Sequence, residues 1–127
     1  MSTTSRHRAA LSTALAYHRA WTGGDFEAAM TYVAPDIVCH APAGTLHGAD
    51  AFRDFMGPFA AMLRGSVLVG AFGDDDVALL MYGTATALVA DAPGAEWQRV
   101  VDGRIVELRI IFDRLPFEQA RSAAAGS

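Results

Sequence analysis

The chain is 127 residues long, 52% hydrophobic and 19% charged, with a formal net charge of −4. Such a chain holds one core, is too apolar for a disordered polypeptide and, lacking any Lys or Arg cluster, is not built to bind nucleic acid. A single cysteine permits no internal disulfide, residues 1–21 carry no secretory apolar run and no run reaches membrane length, so the expected setting is the cytoplasm, away from membranes.

One domain is expected over residues 1–127, ordered from about 5 to 118, with 119–127 a flexible end. Between Thr4 and Thr22, Leu11, Ala14, Leu15, His18 and Trp21 recur at three- and four-residue spacing, which gives a helix one apolar face, ended by Gly23 and Gly24. Asp25 then caps a short second helix with Phe26, Ala29, Met30 and Val33 on one side, stopped by Pro35. Ile37–Ala41 reads as a strand, followed by a loop rich in Pro, Gly and Ala. From Gly48 to Leu63, Phe52, Phe55, Met56, Phe59 and Met62 repeat helically, and Pro58 is expected to kink or divide this third helix.

Beyond Gly65 the texture is extended, with strands expected at Ser66–Phe72, Val77–Ala90, Glu96–Val101 and Arg104–Phe112. Gly73–Asp76 and Asp91–Gly94 suit reversals, and Asp102-Gly103 between two apolar runs is the strongest hairpin signal. The fold class is therefore α+β, with three N-terminal helices on one face of an antiparallel sheet. Alternation in the last strand sends Val106, Leu108, Ile110 and Phe112 inward and Arg104, Glu107 and Arg109 outward. Val77–Ala90 is apolar on both faces, which suits a central strand whose second face meets a partner, so a homodimer through the sheet is expected.

The span DIVCHAPAGTLHG, residues 36–48, gathers Cys39, His40 and His47. Neighbouring strand residues point to opposite faces, and no C-x-x-C, H-x-H or H-E-x-x-H spacing occurs, so no metal site is expected. Nothing beside Cys39 lowers its pKa, which makes it a packed thiol, and His47 at a helix start belongs to the surface. His40 has two readings: an acid–base residue facing a cavity, or a hydrogen-bonded histidine at a strand end. The acidic run Asp74–Asp76 lacks the further oxygen ligands of a calcium loop and reads as a solvated hairpin tip. Tyr17 and Trp21, one helical turn apart, each join an apolar ring to a polar handle that can orient a carbonyl or hydroxyl.

Three stretches in this order, YHRAWTGGDFEAAMTYVAPDIVCH, GTLHGADAFRDFM and VVDGRIVELRIIFDRL, resemble the nuclear transport factor 2-like superfamily, particularly its SnoaL-like and ketosteroid isomerase-like branch, over Leu11 to Phe117. The resemblance implies a cone-shaped α+β barrel: a strongly curved, mainly antiparallel sheet around three helices, with a deep apolar cavity open at one end, usually in a homodimer. No cofactor is expected. Members range from isomerases, cyclases and hydrolases to binding modules without chemistry, so the site has to decide.

In the ketosteroid isomerase-like members a carboxylate base moves a proton while a tyrosine and a protonated acid hold the dienolate oxygen. By that resemblance Tyr17 matches the tyrosine, Glu96 falls near the acid, and the base position is Ala41, with His40 beside it. The SnoaL-like cyclases are similar in ending a DGRIVE-type strand with an acid–base aspartate, here Asp113; strict alternation puts it outside, where it would only terminate the strand. The position matched to the catalytic aspartate of limonene epoxide hydrolases is Ile110, which disfavours that reaction. The catalytic candidates are thus His40, Tyr17, Glu96 and Asp113, and the expected cavity wall comprises Trp21, Phe52, Phe55, Met56, Phe59, Tyr82, Leu108 and Ile110. The expected function is to bind a small apolar cyclic or polycyclic metabolite and to catalyse acid–base isomerisation or aldol-type cyclisation. The alternative is a ligand-binding or dimeric assembly module without chemistry.

Overall fold

A computed structural model describes residues 8–126. Helix α1 (Ala9–Thr22) buries Ala10, Ala14, Tyr17, His18 and Trp21, one continuous stripe at helical spacing. Its start is secured by the acidic turn expected to be a free hairpin tip: the amides of Ala10 and Leu11 donate to the Asp74 carbonyl, and that of Ala9 to Asp75 Oδ1 at 3.1 Å. A backbone carbonyl and a carboxylate thus satisfy the unpaired N–H donors at the positive end of the helix. Gly24, at φ +91°, turns the chain into α2 (Phe26–Met30), which Asp25 caps by accepting from the Ala28 amide at 3.0 Å.

Proline does not stop this helix. It ends at Met30, and Pro35 lies inside β1 (Val33–Ala41), where the pairing register shifts between Val33 and Val38 and no ladder donor is demanded of it. The Pro-Gly-Ala loop is a hairpin instead: β2 (Gly44–His47) pairs with β1 from Val38↔His47 to Ala41↔Gly44. Helix α3 (Ala49–Met62) runs undivided through Pro58 and passes directly into β3 (Leu63–Gly73).

Strands β4 (Val77–Thr86), β5 (Ala92–Val101) and β6 (Arg104–Phe112) complete an open six-stranded sheet of order β2-β1-β6-β5-β4-β3, antiparallel except for β1 beside β6. Register shifts in β1, β3 and β6 bend it around the helices. The β4–β5 reversal is earlier than expected, at residues 87–91. The Thr86 hydroxyl accepts from the amides of Leu88 and Val89 and closes a turn that outweighs the strand preference of Val89. Asp102 and Gly103, both at positive φ, form the expected two-residue hairpin.

One expectation about the last strand needs correction. A bulge sets Arg99 opposite Glu107 but Val100 opposite Ile105, so Val106 is the extra residue and Ile105, not Val106, joins Leu108 and Ile110 in the core. After β6 the chain forms a fourth helix, α4 (Leu115–Gly126), which packs Phe117 against Phe59 and Phe112 at ring-centroid distances of 6.1 and 5.9 Å. Residues 4–7 of the expected first helix lie outside the described residues. No described helix is long and apolar enough to cross a membrane.

Candidate functional site

Alternation along β5 turns Glu96 and Gln98 to the same inner face, where the Glu96 residue is only 2% exposed. A lone buried carboxylate would be costly, and two donors meet it: Tyr82 Oη donates to Oε2, and Gln98 Nε2 donates to Oε1 at 3.0 Å. Burial pushes the Glu96 pKa up, while these two bonds partly hold it down. Tyr82 reaches the carboxyl from β4 because its partner in the register is Gly94; a Cβ there would stand 3.2 Å from the tyrosine ring. Glycine at 94 leaves the ring room to lie over the strand.

Helix α1 closes the cluster from above. The His18 ring lies 4.9 Å from that of Tyr82 and 5.4 Å from that of Trp21. Desolvation, with Arg19 adding to it, lowers the His18 pKa to about 4, so the imidazole is neutral at pH 7. Tyr17, fully buried, is pushed well above the usual phenol range by burial and by the Glu96 charge. Tyr17 Oη, His18 Nδ1, Trp21 Nε1 and Gln98 Oε1 are buried without a hydrogen-bond partner among the described residues.

Beside the cluster, between α3, the ends of β4–β6 and α4, lies a cavity of about 310 Å³. Phe55, Met56, Phe59 and Met62 of α3 line it, with Ile110 and Phe112 of β6 and Phe117 of α4. Tyr82 belongs to both places: its ring forms cavity wall and its hydroxyl holds Glu96. Among the described residues, the other polar side chains in the wall are Thr84, whose hydroxyl donates to the Ala92 carbonyl, and Arg114, Glu118 and Arg121 at the mouth.

The four catalytic candidates do not converge. Tyr17 and Glu96 share the buried cluster, but His40 is on the other face of β1, since Cys39 points inward with no exposure. The His40 side chain is 29% exposed, and its Nε2 lies 2.8 Å from Glu107 Oε2, itself flanked by Arg99 and Arg109. Of the two readings of His40, its surroundings match the hydrogen-bonded strand histidine. Asp113 is exposed and accepts from the Leu115 amide at 3.0 Å, capping the start of α4. Of the expected cavity wall, Phe55, Met56, Phe59, Tyr82 and Ile110 line the cavity, whereas Trp21, Phe52 and Leu108 are core residues outside its lining.

Burial, with Glu96 nearby, pushes the Cys39 thiol up to about 12, which leaves it a packed, unreactive group. His47 is exposed, and no metal-ligating cluster exists among the described residues. Sequence reasoning missed three things: the pairing of Tyr82 with Glu96, the burial of Gln98, and the contribution of α4 to the mouth. Glu96 and Gln98 two apart in a strand were a legible sign of a polar inner face.

Three comparisons bear on the family. A solved protein from Kribbella flavida DSM 17836 is 64% identical, with a TM-score of 0.90 over 94% of this chain and 98% of its own. A protein from Jannaschia sp. CCS1, provisionally described as a SnoaL-like polyketide cyclase, is 15% identical with a TM-score of 0.76, over 93% of this chain and 94% of its own. An NTF2-like protein of unknown function from Cytophaga hutchinsonii ATCC 33406 is 19% identical with a TM-score of 0.69, over 84% and 91%. No curated protein matches the chain. The two distant likenesses establish the NTF2-like fold, and the model of the SnoaL-like domain matches residues 14–108, most of the chain. The protein therefore belongs to the SnoaL-like domain family.

Proposed function

We propose that the cavity binds a small, apolar, ring-containing metabolite and that Tyr82, backed by Glu96, recognises a carbonyl or hydroxyl oxygen on it. The observation that carries this reading is the double role of Tyr82, at once cavity wall and hydrogen-bond partner of a buried carboxyl. With Glu96 protonated, its O–H donates to Tyr82 Oη and the phenol proton turns to the ligand oxygen. Negative charge developing on that oxygen would then be held by a donor chain already in place. Such a donor assists enolisation, the step common to isomerisation and aldol-type ring closure. A volume of about 310 Å³ stands at the lower end of ligand pockets, roughly 300–1,000 Å³, which favours a compact ring system.

Binding without turnover is the second reading, and a specific observation favours it: His40, the one candidate base beside the position that the resemblance assigns to Ala41, is turned away and paired with Glu107. Deuterium exchange at the α-carbon of a ring ketone such as 2-tetralone, followed by NMR, separates the two. Acceleration by the native protein that disappears in Tyr82→Phe supports catalysis. Binding of the ketone with no acceleration leaves a binding module.

A homodimer belongs to the same proposal. The outer sheet face carries Phe72, Leu79, Met81 and Ile111, with Phe72 and Ile111 more than 70% exposed, an apolar patch suited to a second copy. Leu79→Arg should then convert a dimer to a monomer in light scattering, and a native monomer would reject it. A cytoplasmic setting fits a free, buried thiol.

A further inference from the structure

The cavity is apolar at its depth and charged at its mouth. Arg114, just before α4, and Glu118 and Arg121 within it lie at i, i+4 and i+7 and so share one helix face, all three in the wall. Arg114 Nη2 lies 3.0 Å from Glu118 Oε1, so those two charges answer each other. Arg121 forms no ion pair among the described residues. Two guanidinium groups against one carboxylate leave the mouth positive on a chain whose net charge is −4.

A guanidinium offers a planar fork of donors that matches a carboxylate with two parallel hydrogen bonds. We propose, resting on the reading of the cavity as a ligand site, that its ligand is a ring carboxylate. The apolar body fills the space between α3 and β6, the carboxylate engages Arg121 at the mouth, and Arg114 is a second donor once it leaves Glu118. This arrangement also orients the ligand. Tyr82 is buried at 2% exposure while the arginines are exposed, so a carboxylate held at the mouth directs the opposite end of the ring toward Tyr82 and Glu96.

A matched pair of probes, 2-naphthoate and 2-naphthamide, titrated calorimetrically into the full chain, tests this. The native protein should bind the carboxylate about fivefold more tightly than the amide at low salt, as expected for a partly exposed charge contact, and the preference should shrink at about 0.5 M NaCl. Arg121→Gln should abolish the preference by weakening carboxylate binding. Glu118→Gln, which frees Arg114, should increase it. Equal affinity for both probes, unchanged by Arg121→Gln, overturns the carboxylate proposal and leaves the cavity reading standing. If neither probe binds, or if Met62→Trp, which fills the cavity, changes neither affinity, the cavity reading falls and the carboxylate proposal with it.

Discussion

His18 gives the sharpest test of the buried cluster. Its pKa falls from 6.5 in the unfolded chain to about 4 in the folded one, because burial against Tyr82 and Trp21 removes the water that stabilises the imidazolium, with Arg19 adding repulsion. The unfolded chain therefore binds the proton first on acidification. Its contribution to stability is intact above pH 6.5 and is lost as the pH falls toward 4. At 1.36 kcal/mol per pH unit, the loss is about 2 kcal/mol by pH 5 and roughly 3 kcal/mol below pH 4. His18→Phe keeps a ring in contact with both aromatic neighbours and removes the proton site. Whatever constant offset the larger ring adds, urea titrations at pH 7 and pH 5 should show the native protein losing about 2 kcal/mol more than the variant, roughly 1 M in midpoint. Parallel profiles for the two proteins would refute a neutral, buried His18.

Glu96 should show the opposite slope. Its folded pKa is raised above the ordinary 4.5, so the folded state holds the proton longer and stability falls as the pH rises above about 4.5. Glu96→Gln should gain on the native protein as pH increases over that window in the same titration, and a difference independent of pH would contradict a desolvated carboxyl. Because His18 and Glu96 both touch Tyr82, their effects should not add in the double variant. Gly94→Val tests the positioning of Tyr82, since a Cβ at 94 already meets the ring at 3.2 Å. Crowding should cost about 1–3 kcal/mol in denaturation and abolish ketone exchange together with Tyr82→Phe, and a fully stable, fully active variant would remove Gly94 from the account.

Most of the fold was legible because apolar periodicity and turn chemistry agreed. The Ala14, His18 and Trp21 part of the first helix's stripe, the Asp25 cap and the Asp102-Gly103 hairpin are each specified by a few adjacent residues. The departures occur where one local signal was overruled by another or by something distant. Pro35 reads as a helix stop, but an interruption in the β1–β6 ladder accommodates it inside a strand. The run from Ala87 to Ala90 reads as a continuation of β4, yet the Thr86 hydroxyl holds a turn there against the preference of Val89 for a strand. The small and polar end around Ala120, Arg121 and Ser122 is helical because Phe117 finds Phe59 and Phe112, and the contact with Phe59 lies far outside any window of local sequence.

The site was legible in composition but not in geometry. Tyr17 and Glu96 are brought into one cluster, but a pattern of period two does not reveal which face of β1 looks inward, and Ile37 and Cys39 take the core, which turns His40 out to Glu107. Tyr82 stood out only as one more aromatic residue, because its partner Glu96 is fourteen positions away and reachable only through the β4–β5 register and the bare backbone of Gly94. The consequence bears on chemistry. A donor pair without an adjacent base polarises a carbonyl but does not by itself take the α-proton, so a catalytic reading requires that proton to leave by way of solvent or of the ligand's own groups. A carboxylate held at the mouth by Arg121 sits at the end of the ring away from Tyr82, so it orients the ligand without taking that proton, and solvent is left as the acceptor.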